Sequence, residues 1–147
     1  MAPNPAHWAS TMQTKLSTLW TVVLFNMIFR DLHEFARTGY LEDLLARTSG
    51  GEGISETLLL AAAIVLQIPI WMVFLSQVLR PGVNRRANLI AAPLMVALTV
   101  SFNLTPDLDD AFFAGVEVVA LLAVVWYAWR WQTPSRMSRP AFTSAQA

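Results

Sequence analysis

The sequence predicts an all-α chain: a transmembrane four-helix bundle with a short interfacial helix between its first and second spans. Three observations predict it. Hydrophobic residues make up 55 % of the 147 residues and charged residues only 14 %, too apolar for an ordinary soluble domain. Four apolar stretches are long enough, at about 1.5 Å per residue, to cross or nearly cross a hydrocarbon core of roughly 30 Å. The last three lack the regular charges that a soluble bundle helix carries on its outer face. The length suits one domain.

Residues 1–14, with Pro3, Pro5, His7 and Trp8, read as a polar surface segment that touches the interface through Trp8 and Met12. They carry no signal-peptide pattern. Helix 1 is expected over 15–36. Its apolar part, 16–29, spans only about 21 Å, so Arg30, Asp31, His33 and Glu34 must ride inside or at the edge of the membrane, where charges face protein or water and avoid lipid. Gly39 stops that helix. Residues 40–47 place Tyr40, Leu41, Leu44 and Leu45 on one helical face and Glu42, Asp43 and Arg47 on the other, the pattern of an interfacial helix. The glycine-rich loop 49–53 lacks the ending of a P-loop.

Helix 2 is expected over 57–79, capped by Ser55, with Gln67 near its middle and Pro69 freeing the carbonyl of Val65. Arg80-Pro81-Gly82 ends it. Helix 3 is expected over 87–104, after Arg85 and Arg86, with Pro93, Thr99, Ser101 and Asn103 along it. Asp107 caps helix 4, expected over 111–131. The polar tail 132–147 reads as disordered. Residues 15–131 thus form the bundle.

Charge sets the orientation. Lys15, Arg80, Arg85, Arg86, Arg130, Arg136 and Arg139 fall on the side shared by both termini, against Arg30, Arg37 and Arg47 on the other. The positive-inside rule therefore puts both termini in the cytoplasm. The acids lie opposite, except Glu117, which is buried in a span. The aromatics Trp20, Trp126, Trp129 and Trp131 form an inner-leaflet belt.

Counting inward from the outer helix ends puts Asn26 and Gln67 about 15 Å deep, Arg30 and Glu117 about 10 Å deep, and His33 and Asn103 within about 5 Å of the edge. Asn26, Arg30, His33 and Arg37, spaced four, three and four, share one stripe. The candidate ligand-binding set is therefore Asn26, Arg30, His33, Gln67 and Glu117, a polar funnel from the outer face with Arg30 paired to Glu117. The plainer reading of that pair is an ion pair locking helix 1 to helix 4. For Gln67 it is a hydrogen bond to Asn26 or to a freed carbonyl. Asp31, His33 and Glu34 point about 100° apart at successive positions and cannot converge on a metal; a Glu34 to Arg30 bridge suits the spacing better. The acids Asp107, Asp109 and Asp110 lack EF-hand spacing and suit a helix N-terminus. The small-residue pairs Ala111/Gly115 and Ala87/Ala91 permit close helix contact within the bundle or between copies.

No metal or cofactor is expected. Without cysteine, thiolate ligands, disulfides and lipidated thiols are excluded. A net charge of zero gives nucleic acid no electrostatic footing. No nucleophile, base and orienter are visible together, so an enzyme is disfavoured. Two functions remain. One is a homo-oligomeric membrane module in the lipid bilayer that binds or conducts a small solute or cation through the polar funnel, aided by acidic outer loops. The other is an accessory or assembly subunit of a larger, possibly redox, membrane complex, its polar stripe serving only packing.

Lys15-Leu16-Ser17-Thr18-Leu19-Trp20, Asn26 with Asp31, Ile68-Pro69-Ile70 with Leu75-Ser76, Arg86-Ala87-Asn88-Leu89-Ile90, and Glu117 with Trp126-Tyr127-Ala128-Trp129-Arg130-Trp131 resemble a family of small bacterial four-helix integral membrane proteins of unknown function. The resemblance covers 15–131 and implies a multi-pass protein of the bacterial inner (plasma) membrane. That family often has an acid before Ile-Pro-Ile; Gln67 stands there in this chain, which argues against a two-carboxylate site. A more distant similarity, to DoxX-like four-helix proteins, is an analogy of fold alone.

Overall fold

The computed structural model describes residues 5–49, 55–103 and 107–131. They form five helices and no strand: α1 (Pro5–Ala36), α2 (Tyr40–Ser49), α3 (Glu56–Val78), α4 (Pro81–Phe102) and α5 (Leu108–Arg130). The chain is all-α. The loop 50–54 and the tail expected at 132–147 lie outside the described residues.

Two helices start well before the sequence suggests, and both begin on a proline. Helix α1 is already helical from Pro5, ten residues before Lys15. Helix α4 begins at Pro81, so Arg85 and Arg86 lie on the helix and not ahead of it. Proline suits the first helical position because its fixed φ fits and the N–H it lacks would be unpaired there anyway. Gly39 ends α1 as expected, at φ +88°, where a side chain would be strained. Beyond it α2 touches only α1, with the rings of Phe35 and Tyr40 edge to face at 5.8 Å.

The four long helices form a ring in which α1 packs on α3 and α5, and α5 on α4. Helices α3 and α4 meet less extensively than the other adjacent pairs. The end carrying Asn84 and Arg85 is here called the basic end; the end carrying Arg37 and Asp107, the acidic end. The apolar core lies in the basic half: Leu16, Trp20, Met72, Leu121, Val124 and Ala128 are buried there. In the acidic half the buried positions of α4 and α5 turn polar, at Thr99 and Glu117.

Large apolar side chains also cover much of the exterior. Phe25, Leu60, Trp71, Ile90, Val119 and Trp129 are all more than half exposed. Two helices are long and apolar enough to cross a membrane, over Leu59–Val78 and Leu108–Arg130, and only 17 % and 28 % of them is buried inside the bundle. Helices α1 and α4, expected as spans from their apolar runs, do not reach that standard; α1 carries Arg30 and Asp31, and α4 Arg85 and Arg86.

Buried side-chain hydrogen bonds fasten the basic end. Trp20 Nε1 donates to Asn88 Oδ1 at 2.6 Å. Asn88 Nδ2 donates to Asn84 Oδ1 at 2.6 Å and Asn84 Nδ2 to the Ser76 carbonyl at 2.6 Å. Ser17 Oγ donates to the Val73 carbonyl at 2.9 Å. Ser76, Asn84 and Asn88 are fully buried, and together these bonds join α1, α3 and α4. Arg85 Nε reaches the Ala128 carbonyl at 3.1 Å, near the end of α5, where a cation meets the unpaired carbonyls and the negative pole of the helix.

Candidate acidic-end cavity

A cavity of about 70 Å³ lies between the acidic halves of the four long helices, lined by Arg30, Asp31, Thr99, Asn103, Glu117 and apolar neighbours including Met27 and Met95. Glu117 is 2 % exposed. Its Oε1 accepts from Thr99 Oγ at 2.5 Å. Asn103 Nδ2 donates to the Thr99 carbonyl at 2.6 Å, which ties up its amide hydrogens' side and leaves its Oδ1 as an acceptor. Thr99 and Asn103, four apart at the C-terminal end of α4, share a face. That spacing could have flagged them, and the sequence-derived set omits them along with Asp31.

The expected Arg30–Glu117 ion pair does not form. Arg30 Nε lies 3.7 Å from Asp110 Oδ1, and no ion pair within 4 Å joins it to Glu117, although both line the cavity. Asp110 sits two turns from Glu117 on the same face of α5, closer to the helix end. The long arginine side chain stretches toward that more polar end. The expected Glu34 to Arg30 bridge is also replaced: Glu34 Oε1 lies 3.6 Å from Arg37 Nη1.

Asn26 and His33 belong elsewhere. Asn26 Nδ2 donates to the Phe113 carbonyl at 2.8 Å, docking α1 on α5. Both residues line an open groove of about 420 Å³ with Phe29, Leu32, Ala36 and Phe113. Gln67 lies in neither place. It is exposed on the outer side of α3, and among the described residues no hydrogen bond joins it to Asn26. Its apolar helix offers no polar face to show which side turns inward. The single funnel expected from the sequence is thus a cavity holding Arg30 and Glu117, a groove holding Asn26 and His33, and an outward Gln67.

Above the cavity, α1 and α5 are clasped by charge. Arg37 Nη1 lies 2.9 Å from Asp107 Oδ2, and its Nη2 3.1 Å from Asp109 Oδ1. His33 Nε2 lies 3.3 Å from Asp109 Oδ2. The Asp107 side chain makes no cap hydrogen bond to α5; it serves Arg37 instead, against the capping expected from sequence. The hydrogen bond that Arg37 donates to Asp107 raises the Arg37 pKa further, with Asp109 and Glu34 adding to it. A raised basic pKa stabilises the fold below the ordinary arginine value and is lost only above it. Arg37 is therefore charged at every working pH, and the clasp loosens with acid only as its carboxylates protonate. Because Arg37 is exposed, Arg37→Gln is expected to lower the melting temperature slightly at low salt and not at all near 1 M salt, where the screening length falls to about 3 Å. A loss unchanged by salt would show that the clasp works through packing.

Among the described residues no three His, Cys, Asp or Glu side chains are grouped to hold a metal ion. The oxygens of Glu117, Thr99, Asn103 and Asp31 are hard ligands of the kind that suits small cations or the N–H groups of a polar solute. No curated protein and no solved structure gives a significant match to the chain. The sequence profile of one family matches residues 5–138, and the chain belongs to it: DUF6326, a family of unknown function.

Proposed function

We propose that this chain is a multi-pass membrane protein, with both termini cytoplasmic, that binds a small cation or polar solute in the cavity around Glu117. The observation that carries the reading is a carboxylate at 2 % exposure lining a cavity, held by one hydroxyl and without an ion-pair partner among the described residues. A buried carboxylate is costly unless something compensates it. The guanidinium beside it is already engaged by Asp110.

The membrane part rests on the apolar exterior. Large apolar side chains cover the outside while Ser76, Asn84, Asn88, Thr99 and Glu117 are turned inward among the apolar core residues, an arrangement that suits a lipid surrounding. The four long helices then all cross. Helix α1 does so with its charged stripe turned toward α5, and α4 with Arg85 and Arg86 at its basic end. The acidic end faces outward, where Asp107, Asp109 and Asp110 raise the local cation concentration. The cavity has room for a few waters or one partly hydrated ion, which limits the ligand to a few heavy atoms. With only four spans, conduction of that ligand would require a homo-oligomer.

The test is thermal unfolding in lipid discs with sodium, potassium, ammonium, magnesium and calcium chlorides and small neutral polar solutes, at matched ionic strength. At least one is expected to raise the melting temperature saturably, with about 2.7 kcal/mol of stabilisation at one hundred times its Kd. The rise should vanish in Glu117→Gln. If every solute acts equally on both proteins, the binding site is lost.

A further inference from the structure

The back of α3 carries a pattern that the bundle itself does not use. Pro69, Met72 and Ser76 are buried against the other helices. On the opposite side Leu60, Ile64, Gln67, Trp71, Phe74 and Val78 form a continuous exposed row. Their spacing is four, three, four, three, four, the 3.5-residue repeat of a helix whose seam faces another helix. A lipid-facing surface needs no repeat and favours no polar residue. Gln67 breaks the apolar row once, at the midpoint of α3, where in the membrane reading an exposed amide would stand in hydrocarbon without water.

We infer that α3 packs along this row against α3 of a second copy of the chain, parallel and about a two-fold axis, with the two Gln67 side chains hydrogen-bonded across it. This rests on the membrane reading proposed above. A glutamine side chain carries both an N–H donor pair and a carbonyl acceptor, so its own copy is a complete partner. Two identical chains inserted with the same orientation bring Gln67 to the same depth, which a two-fold axis converts into contact. One polar residue in an apolar seam also fixes register. Trp71 and Phe74, edge to face at 6.4 Å, are already packed together before the seam closes. The homo-oligomer expected from small-residue motifs is thereby moved to α3. Of those motifs, Ala87 and Ala91 are half-buried inside the bundle and packed against its core.

The chain has no cysteine, so single cysteines report contact directly. Ile64→Cys, Gln67→Cys, Trp71→Cys and Phe74→Cys are expected to cross-link into dimers in native membranes under mild oxidation. Ile90→Cys on α4 and Val119→Cys on α5, equally exposed and near mid-helix, are expected to stay monomeric. In the cysteine-free chain, Gln67→Leu should weaken dimerisation in lipid about tenfold, read by energy transfer on dilution with lipid. Equal cross-linking at the control positions, cross-links to a different protein, or a dimer unaffected by Gln67→Leu would overturn the seam. If the chain remains in membranes after alkaline carbonate extraction, such results overturn the seam alone. If carbonate releases it, the membrane reading falls with the seam.

Discussion

Replacing Asn88 by alanine is expected to cost about 2–4 kcal/mol of stability, the largest loss for any single polar side chain in the bundle. Asn88 is fully buried and is the hub of the basic end. It accepts from Trp20 on α1 at 2.6 Å and donates to Asn84 Oδ1 at 2.6 Å and to Ser76 Oγ on α3 at 3.5 Å. Its removal leaves the Trp20 Nε1–H and the Asn84 Oδ1 without these partners, each at about 1–3 kcal/mol when buried, and adds a cavity. Trp20→Phe removes the donor and the pyrrole part of the buried indole, so its cost adds a cavity to the lost hydrogen bond. The check is reversible unfolding of the two variants and their double mutant in the same lipid or detergent. Asn88 and Trp20 share one hydrogen bond, so their effects should be less than additive. A cost below about 1 kcal/mol for Asn88→Ala would mean that water replaces the side chain and that the network does not fasten the helices.

That hub shows what the sequence reveals and what it hides. The long helices are legible because their apolar runs are long, and Gly39 marks the end of α1 because a positive φ needs glycine. The starts of α1 and α4 are hidden by Pro5 and Pro81, which read as breakers but serve as first helical residues. With Pro81 as a stop, Asn84, Arg85 and Arg86 read as loop, which hides the Ser76, Asn84 and Asn88 network although Asn84 and Asn88 are one turn apart. Depth along a helix is legible and rotation about it is not. Arg30 and Glu117 come out at one level from residue counting, and they do line one cavity. Which carboxylate the guanidinium engages depends on side-chain reach, and Asp110 lies nearer the polar end. Gln67 matches the depth of Asn26 and points the other way, because an all-apolar helix gives no sign of its inner side.

The acidic half should answer mutation with the opposite sign. Glu117→Leu combined with Thr99→Val is expected to raise stability, by about 1–4 kcal/mol, while abolishing any solute-dependent stabilisation. Both side chains are buried, and their hydrogen bond at 2.5 Å satisfies one carboxylate oxygen. A carboxyl group held in a low-dielectric interior with so few partners opposes folding, and well-packed apolar groups of similar volume in its place generally do not. Removing both residues leaves neither an unpaired hydroxyl nor an unpaired carboxylate. The new side chains also replace polar lining of the 70 Å³ cavity with apolar atoms, which disfavours water there. Glu117→Leu alone should gain less, because Thr99 loses its acceptor and must turn to its own helix, back toward the carbonyl of Met95. A structural role predicts the reverse order: the double variant would be less stable than the parent, as expected at Asn88. The measurement is the melting temperature of parent, single and double variants in lipid discs, without solute and at a saturating concentration of the most stabilising one. A protein that keeps a destabilising carboxylate in a cavity, beside a polar lock that stabilises its other end, has the pattern of a binding site retained against stability. A less stable double variant would place Glu117 with Asn88, as a residue that holds helices together.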